Sequence, residues 1–238
     1  MSHPYWSGHF ARVNAKRMAT MMEVLKARLL PSFDGIEDEA NAKVDETWEA
    51  ISSMSVGEYG PLIDESEAAE MAQDAGREHY SAMSDARQTL INSFAITLYH
   101  LWEQQVLSFH RRQVLGFHEP HTAKLLSLKV FTERLLEIGV DIKSFRSWSV
   151  LSVYRCLANT IKHADGDSAD ELKKLRPEWF IPRSFRDDPL GEVFRYEPKV
   201  YEPLAGEDVY VDVDDLDEFV KATSLFWGEL VAALASIN

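Results

Sequence analysis

One cysteine, Cys156, occurs among 238 residues, so neither an internal disulfide nor a cysteine-built metal framework can form, which excludes a disulfide-stapled secreted domain. A reducing cytoplasm is the expected compartment. No apolar run approaches the roughly 18 residues that a membrane-spanning helix needs. The opening residues Met1, Ser2, His3, Pro4, Tyr5 and Trp6 lack the basic-then-apolar pattern of an export signal. The chain is therefore expected to be soluble, unprocessed and without a membrane partner. Eleven Gly and nine Pro are too few for a disordered or low-complexity chain. Also missing are a Gly-rich phosphate loop, a G-x-S-x-G elbow and a dinucleotide fingerprint, which leaves ATPase, serine hydrolase and Rossmann dehydrogenase readings without support.

Basic residues are the scarcer sign, 25 Lys plus Arg against 39 Asp plus Glu for a net charge of −14. The imbalance is not uniform. Residues 1–100 hold 8 basic against 16 acidic side chains, residues 101–186 hold 14 against 10, and residues 187–238 hold 3 against 13. A phosphate-binding surface would have to come from the middle third, although a mild excess of cations also suits an ordinary solvated helical surface. What the chain has in quantity is bulk: six Trp, twelve Phe and eight Tyr, with 45% hydrophobic residues overall, enough to build a substantial core.

Helical spacing dominates. Val13, Met18, Met21, Met22, Leu25, Leu29 and Leu30 predict a first helix over residues 11–30, stopped by Pro31. A second runs over 36–53, and Ser55, Gly57, Gly60 and Pro61 then mark a loop. Acidic residues from Asp64 open a third helical region whose strongest part, 82–115, carries Leu90, Ile91, Phe94, Leu98, Leu101, Trp102, Val106 and Phe109 as one broad stripe. Residues 121–138 and 144–162 predict two more helices. Ser168 and Glu171 fit a capping box for a short helix that Pro177 stops. Pro182, Pro189, Gly191 and Pro198 punctuate the next stretch, where Val193–Tyr196 and Val209–Val213 suggest a small β-hairpin or extended flap near 190–213. Asp214, Asp215 and Asp217 open a last helix whose buried face is Phe219, Leu225, Phe226, Leu230 and Leu234. The expected fold is all-α, a bundle of long antiparallel helices.

One segment offers chemistry. Taking Arg155 as 0° on a helical wheel, Asn159 falls near 40°, Lys162 near 340° and His163 near 80°, so all four share a face. Val150, Leu151, Val153, Tyr154, Leu157 and Ile161 occupy the remaining, apolar arc of the wheel. A histidine that exchanges protons near neutral pH, two cations suited to phosphate and an orienting amide are the parts of a metal-independent RNA cleavage site. The same residues also read as structural: Lys162 and His163 complement the negative end of the helix dipole, and Asn159 can bond backbone.

The stretch from Arg155 to His163 resembles the signature helix of the HEPN (higher eukaryote and prokaryote nucleotide-binding) superfamily, whose motif is an Arg, a following polar residue such as Asn, and a His four to six residues on. Asn159 and His163 match the polar residue and the His. The position before Asn159 is Ala158 rather than Arg, and Arg155 stands seven intervening residues from His163. The resemblance spans roughly residues 85–180. It implies a helical core over 81–180, with 1–80 as an N-terminal helical extension and 181–238 as an acidic flap and C-terminal helix packing on that core. It further implies a homodimer in which two motifs face one cleft and cut RNA, such as tRNA or mRNA, without metal or cofactor, in bacterial phage defence or as a toxin with an antitoxin partner. In that reading His163 is the general acid/base, Arg155 and Lys162 hold the phosphate, and Asn159 orients the His or the RNA. A second reading, favoured by Ala158, is a non-cleaving helical module that binds RNA or protein.

Other signals are weaker. His110, His118 and His121 with Glu103 and Glu119 invite a metal site, but His118-x-x-His121 falls in a loop and supplies only two ligands. No metal is expected. Cys156 could be activated by Arg155, yet its place at the edge of the apolar arc suits a packed thiol.

Overall fold

A computed structural model describes residues 4–54, 63–116, 118–120, 122, 124–187 and 199–237. The helices among them are α1 (Pro4–Val24), α2 (Ile36–Met54), α3 (Glu65–Phe109), α4 (Leu128–Glu137), α5 (Trp148–His163), α6 (Asp167–Leu175) and α7 (Val213–Ala235). No strand occurs among the described residues, so the fold is all-α. The loop expected around Ser55, Gly57, Gly60 and Pro61 lies outside the described residues.

Helix α3 is 45 residues long, about 67 Å at the α-helical rise. Asp64 caps its N-terminus through Ser66 N, and Glu65 and Glu67 stand in its first turn, where the dipole favours carboxylates. Its first half packs on α2. There Gly76 lets the backbones approach, because a Cβ at that position would meet Val44 Cγ2 at 2.4 Å and Ala40 O at 3.0 Å. Its second half belongs to the main core, with Ile91, Leu98, Trp102, Val106 and Phe109 buried.

That core is one cluster. It joins Met18, Met22 and Leu25 of the first helical segment to Phe131 and Leu135 of α4, Tyr154, Leu157 and Ile161 of α5, and Phe219, Phe226 and Leu230 of α7. Rings interlock at its centre: Trp102 meets Phe226 edge-on at 5.4 Å, and Tyr154 stacks on Phe219 at 4.2 Å. Leu225, expected on the buried face of the last helix, is 39% exposed, and Leu234 is half-buried.

Several helix starts differ from expectation. The first helix begins at Pro4, well before residue 11. The fourth starts only at Leu128, where Ser127 Oγ accepts from Val130 N; of the expected start, His121 lies outside the described residues. The fifth starts at Trp148 because residues 142–144 form a separate 3-10 turn capped by Asp141. The capping box expected at Ser168 and Glu171 is not formed. Gly166 is the N-cap of α6 without a side-chain bond, and Ser168 sits inside the first turn. A reciprocal capping box does form at α7, between Asp212 and Asp215.

Half of the expected hairpin, residues 190–198, lies outside the described residues. The other half is an extended strap, residues 199–212, rather than a strand. Its polar groups are taken by other partners: Tyr210 N donates to Trp179 O at 2.7 Å, Val200 N to Asp165 Oδ1 at 3.1 Å, and Asp165 N to Val200 O at 3.1 Å. Asn92 of α3, fully buried, donates to Pro203 O at 2.8 Å and Val209 O at 2.9 Å.

Candidate functional site

Helix α5 is amphipathic as its spacing requires. Leu151, Tyr154, Cys156, Leu157, Ala158, Thr160 and Ile161 are buried, while Arg155, Lys162 and His163 are exposed and Asn159 is half-buried. The two flanking helices divide this outward face. Lys162 leans towards α3, where its Nζ lies 3.3 Å from His100 Nε2. Asn159 leans the other way, donating from Nδ2 to Ser168 Oγ of α6 at 3.3 Å. Between them Arg155 lies close enough to Tyr99 and Cys156 to influence both electrostatically. The His163 side chain forms no hydrogen bond or ion pair with any described residue.

Sequence reasoning missed His100 altogether and weighed Glu103 only as a metal ligand. The structure joins them: His100 Nδ1 lies 3.2 Å from Glu103 Oε2, so a carboxylate, an imidazole and the Lys162 ammonium form a line from α3 to α5. A carboxylate on one ring nitrogen and an ammonium on the other select the tautomer with hydrogen on Nδ1 and a lone pair on Nε2. The available signal was the three-residue spacing of His100 and Glu103, which places both on one helical face.

Beside this line α3, α4 and α5 form a cleft of about 690 Å³, floored by Tyr99, Trp102 and Leu151 and rimmed by Trp148 and Arg155. Burial is the main reason the Tyr99 phenol is pushed well up, with the Glu103 charge adding to it and Arg155 opposing. Tyr99 therefore stays a hydroxyl donor at neutral pH. Burial likewise pushes the Cys156 thiol up, helped by Glu171 and opposed by Arg155, so Cys156 is no nucleophile at neutral pH.

The acidic start of α7 does not lie on the α5 cations. Asp215 accepts from Arg176 at 2.6 Å and from Trp179 Nε1 at 2.9 Å, and Asp212 accepts from Arg186 at 2.5 Å. Arg176 also sits 4.1 Å over the Trp179 ring. Glu119 is equally committed elsewhere. It forms a two-pronged pair with Arg134 and accepts from Gly116 N, and the Arg134 guanidinium, ahead of that amide, holds its carboxyl below the usual range. His121 lies outside the described residues, and His110 is fully buried. Among the described residues no group of three or more His, Cys, Asp or Glu is arranged to hold a metal ion. No helix among them is long and apolar enough to cross a membrane.

Fold and site together define an all-α helical bundle carrying a polar, cation-bearing face at the end of one helix. No family model, curated protein or solved structure matches the chain significantly.

Proposed function

We propose that the protein is a metal-independent endoribonuclease of HEPN type that works as a homodimer in bacterial defence or as a toxin. The observation that carries this reading is the contact of Lys162 with His100, itself held by Glu103, on the exposed face of α5 that also carries His163 at its end and Arg155 two turns earlier. Cleavage of RNA by its own 2′-hydroxyl needs a base to take that proton, an acid to give one to the 5′-oxygen that leaves, and positive charge on the phosphate between them. His163, whose side chain has no partner among the described residues, is the proton-exchanging group. Arg155 and Lys162 hold the phosphate, and Asn159, tied to Ser168, sets the α6 wall against which the RNA or the imidazole is oriented. The products are a 2′,3′-cyclic phosphate and a free 5′-hydroxyl. Two copies facing each other across this exposed face would line one cleft with twice the charge. A partner protein or antitoxin would silence the site by covering it.

A second reading has its own observation. Ala158 is 1% exposed and sits in the core, so the position before Asn159 cannot present an Arg to solvent. That favours a non-cleaving module that keeps the scaffold and binds RNA or protein through the same face.

The test is cleavage of total RNA and tRNA by purified protein in EDTA, comparing wild type with His163→Ala and Arg155→Ala. Cleavage by wild type alone, leaving cyclic phosphate ends, supports the nuclease. RNA binding without cleavage supports the second reading. Equal cutting by His163→Ala removes this face from the chemistry.

A further inference from the structure

The cleft between α3, α4 and α5 lies on the far side of Arg155 from His163 and, apart from Arg155 and Glu103, is lined by residues that the nuclease reading does not use. At about 690 Å³ it falls within the range of small-ligand sites. Trp148, Leu151, Ser152 and Arg155 line it at positions i, i+3, i+4 and i+7 of α5, so a stripe about 10 Å long runs from an indole at one end to a guanidinium at the other. Lys143, in the 3-10 turn just before α5, adds an ammonium to the lining. Neither Arg155 nor Lys143 is in a salt bridge with a described residue, whereas the other lining charges are engaged: Lys129 with Glu133 at 3.9 Å, and Glu103 with His100.

Trp102, 1% exposed, completes the apolar floor of the cleft beside Tyr99 and Leu151.

We propose that this cleft binds a small planar aromatic anion, its ring lying along the Trp148 and Tyr99 side chains and its anionic group on Arg155, with Lys143 adding positive potential from the opposite end. Aromatic walls favour a flat ring by stacking and by burial of its faces. Two unneutralised cations select a phosphate or carboxylate attached to it, Arg155 through a two-pronged contact. Nucleoside monophosphates and aromatic carboxylates both have this chemistry. The site shares Arg155 with the nuclease reading, but its test reads binding without any cleavage and uses Lys143 and Trp148, which that reading does not employ.

Isothermal titration of the purified chain is the test, using the four nucleoside 5′-monophosphates in one arm and indole-3-acetate and 4-hydroxybenzoate in the other. Inorganic phosphate and indole serve as the separate halves. Binding in either arm, with each half at least about tenfold weaker, is the expected result and identifies the source of the anion. Lys143→Glu, a change at an exposed position that leaves the core untouched, should weaken that binding by about tenfold. Trp148→Ala, checked for helical content, should weaken it too. No heat in either arm up to about 1 mM, or binding that Lys143→Glu and Trp148→Ala both leave unchanged, overturns the proposal.

Discussion

Lys162 Nζ of α5 lies 3.3 Å from His100 Nε2 of α3, and Glu103 Oε2 lies 3.2 Å from the opposite ring nitrogen. The contact fixes where the ammonium stands, because a lysine whose head donates to an imidazole on a neighbouring helix samples fewer rotamers than one in open solvent. If that ammonium holds an RNA phosphate, removing it takes one released counterion out of the binding equilibrium. Lys162→Gln should then flatten the slope of log affinity against log salt by about 0.7 for single-stranded RNA. Fluorescence anisotropy across a salt series measures this. An unchanged slope with unchanged affinity would place the phosphate elsewhere.

Asn92 is fully buried, and its amide donates to Pro203 O at 2.8 Å and Val209 O at 2.9 Å while Gln88 Nε2 donates to its oxygen at 3.0 Å. It is the peg that fastens the strap of residues 199–212 to α3. Asn92→Leu leaves two buried carbonyls without donors, at about 1–3 kcal/mol each, so a loss of about 3 kcal/mol is expected. Urea unfolding should show a lower midpoint at an unchanged slope. A loss under about 1 kcal/mol would mean that water replaces the amide and the strap is held by other contacts.

Asn92 also marks where the sequence stopped being legible. The helices could be read because burying an apolar stripe is a local, periodic requirement, and the bounds of α2 and the run of α3 from residue 65 to 109 follow it closely. The strap could not. Val209 and Val211 are buried and β-branched, which is what a strand also requires, and nothing local reveals that their carbonyls accept from the Asn92 and Gln88 side chains of α3 while Tyr210 N between them donates to Trp179 O. The same limit governed Ser168, whose hydroxyl is engaged by Asn159 of the preceding helix instead of capping its own. At the candidate site the α5 face was readable from angular spacing alone. Its division between α3 and α6, and the arrival of His100, depend on helix packing that spacing does not encode.

Ala164, the residue after His163, has φ +59° and ψ −141° and is the lone non-glycine residue with positive φ among the described residues. That conformation costs a residue with a Cβ about 1–3 kcal/mol. The turn is held from both sides, by Ala164 N donating to Thr160 O at 2.8 Å and by the Asp165 and Val200 backbone pairing. Ala164→Gly relieves the strain and gives back part of the gain as unfolded-state entropy, about 0.5–1 kcal/mol. A net stabilisation of about 1 kcal/mol is expected from thermal or urea unfolding. Ala164→Val should go the opposite way. If glycine destabilises, the helix end is not strained in solution.

His110 has no solvent exposure, and neither ring nitrogen has a hydrogen-bond partner among the described residues. Its ring packs 5.5 Å from that of Phe131. Burial is the chief reason its pKa is lowered from 6.5, the Arg134 guanidinium adds to the lowering, and the Glu119 carboxylate opposes it. Above pH 6.5 the imidazole is neutral in both the folded and unfolded chain, so His110 imposes no proton-linked penalty. As pH falls below 6.5 the unfolded chain takes up a proton that the folded one refuses, and stability declines until the folded-state value is reached. His110→Phe removes this proton uptake and replaces two unpaired nitrogens with a ring of similar shape, a change that is neutral or stabilising near neutrality. Comparing urea unfolding of the two proteins at a series of pH values below about 6.5 isolates the effect, since the remaining histidines are common to both. The variant should lose less stability on acidification, and parallel curves would show that His110 gains its proton as readily in the folded chain as in the unfolded one.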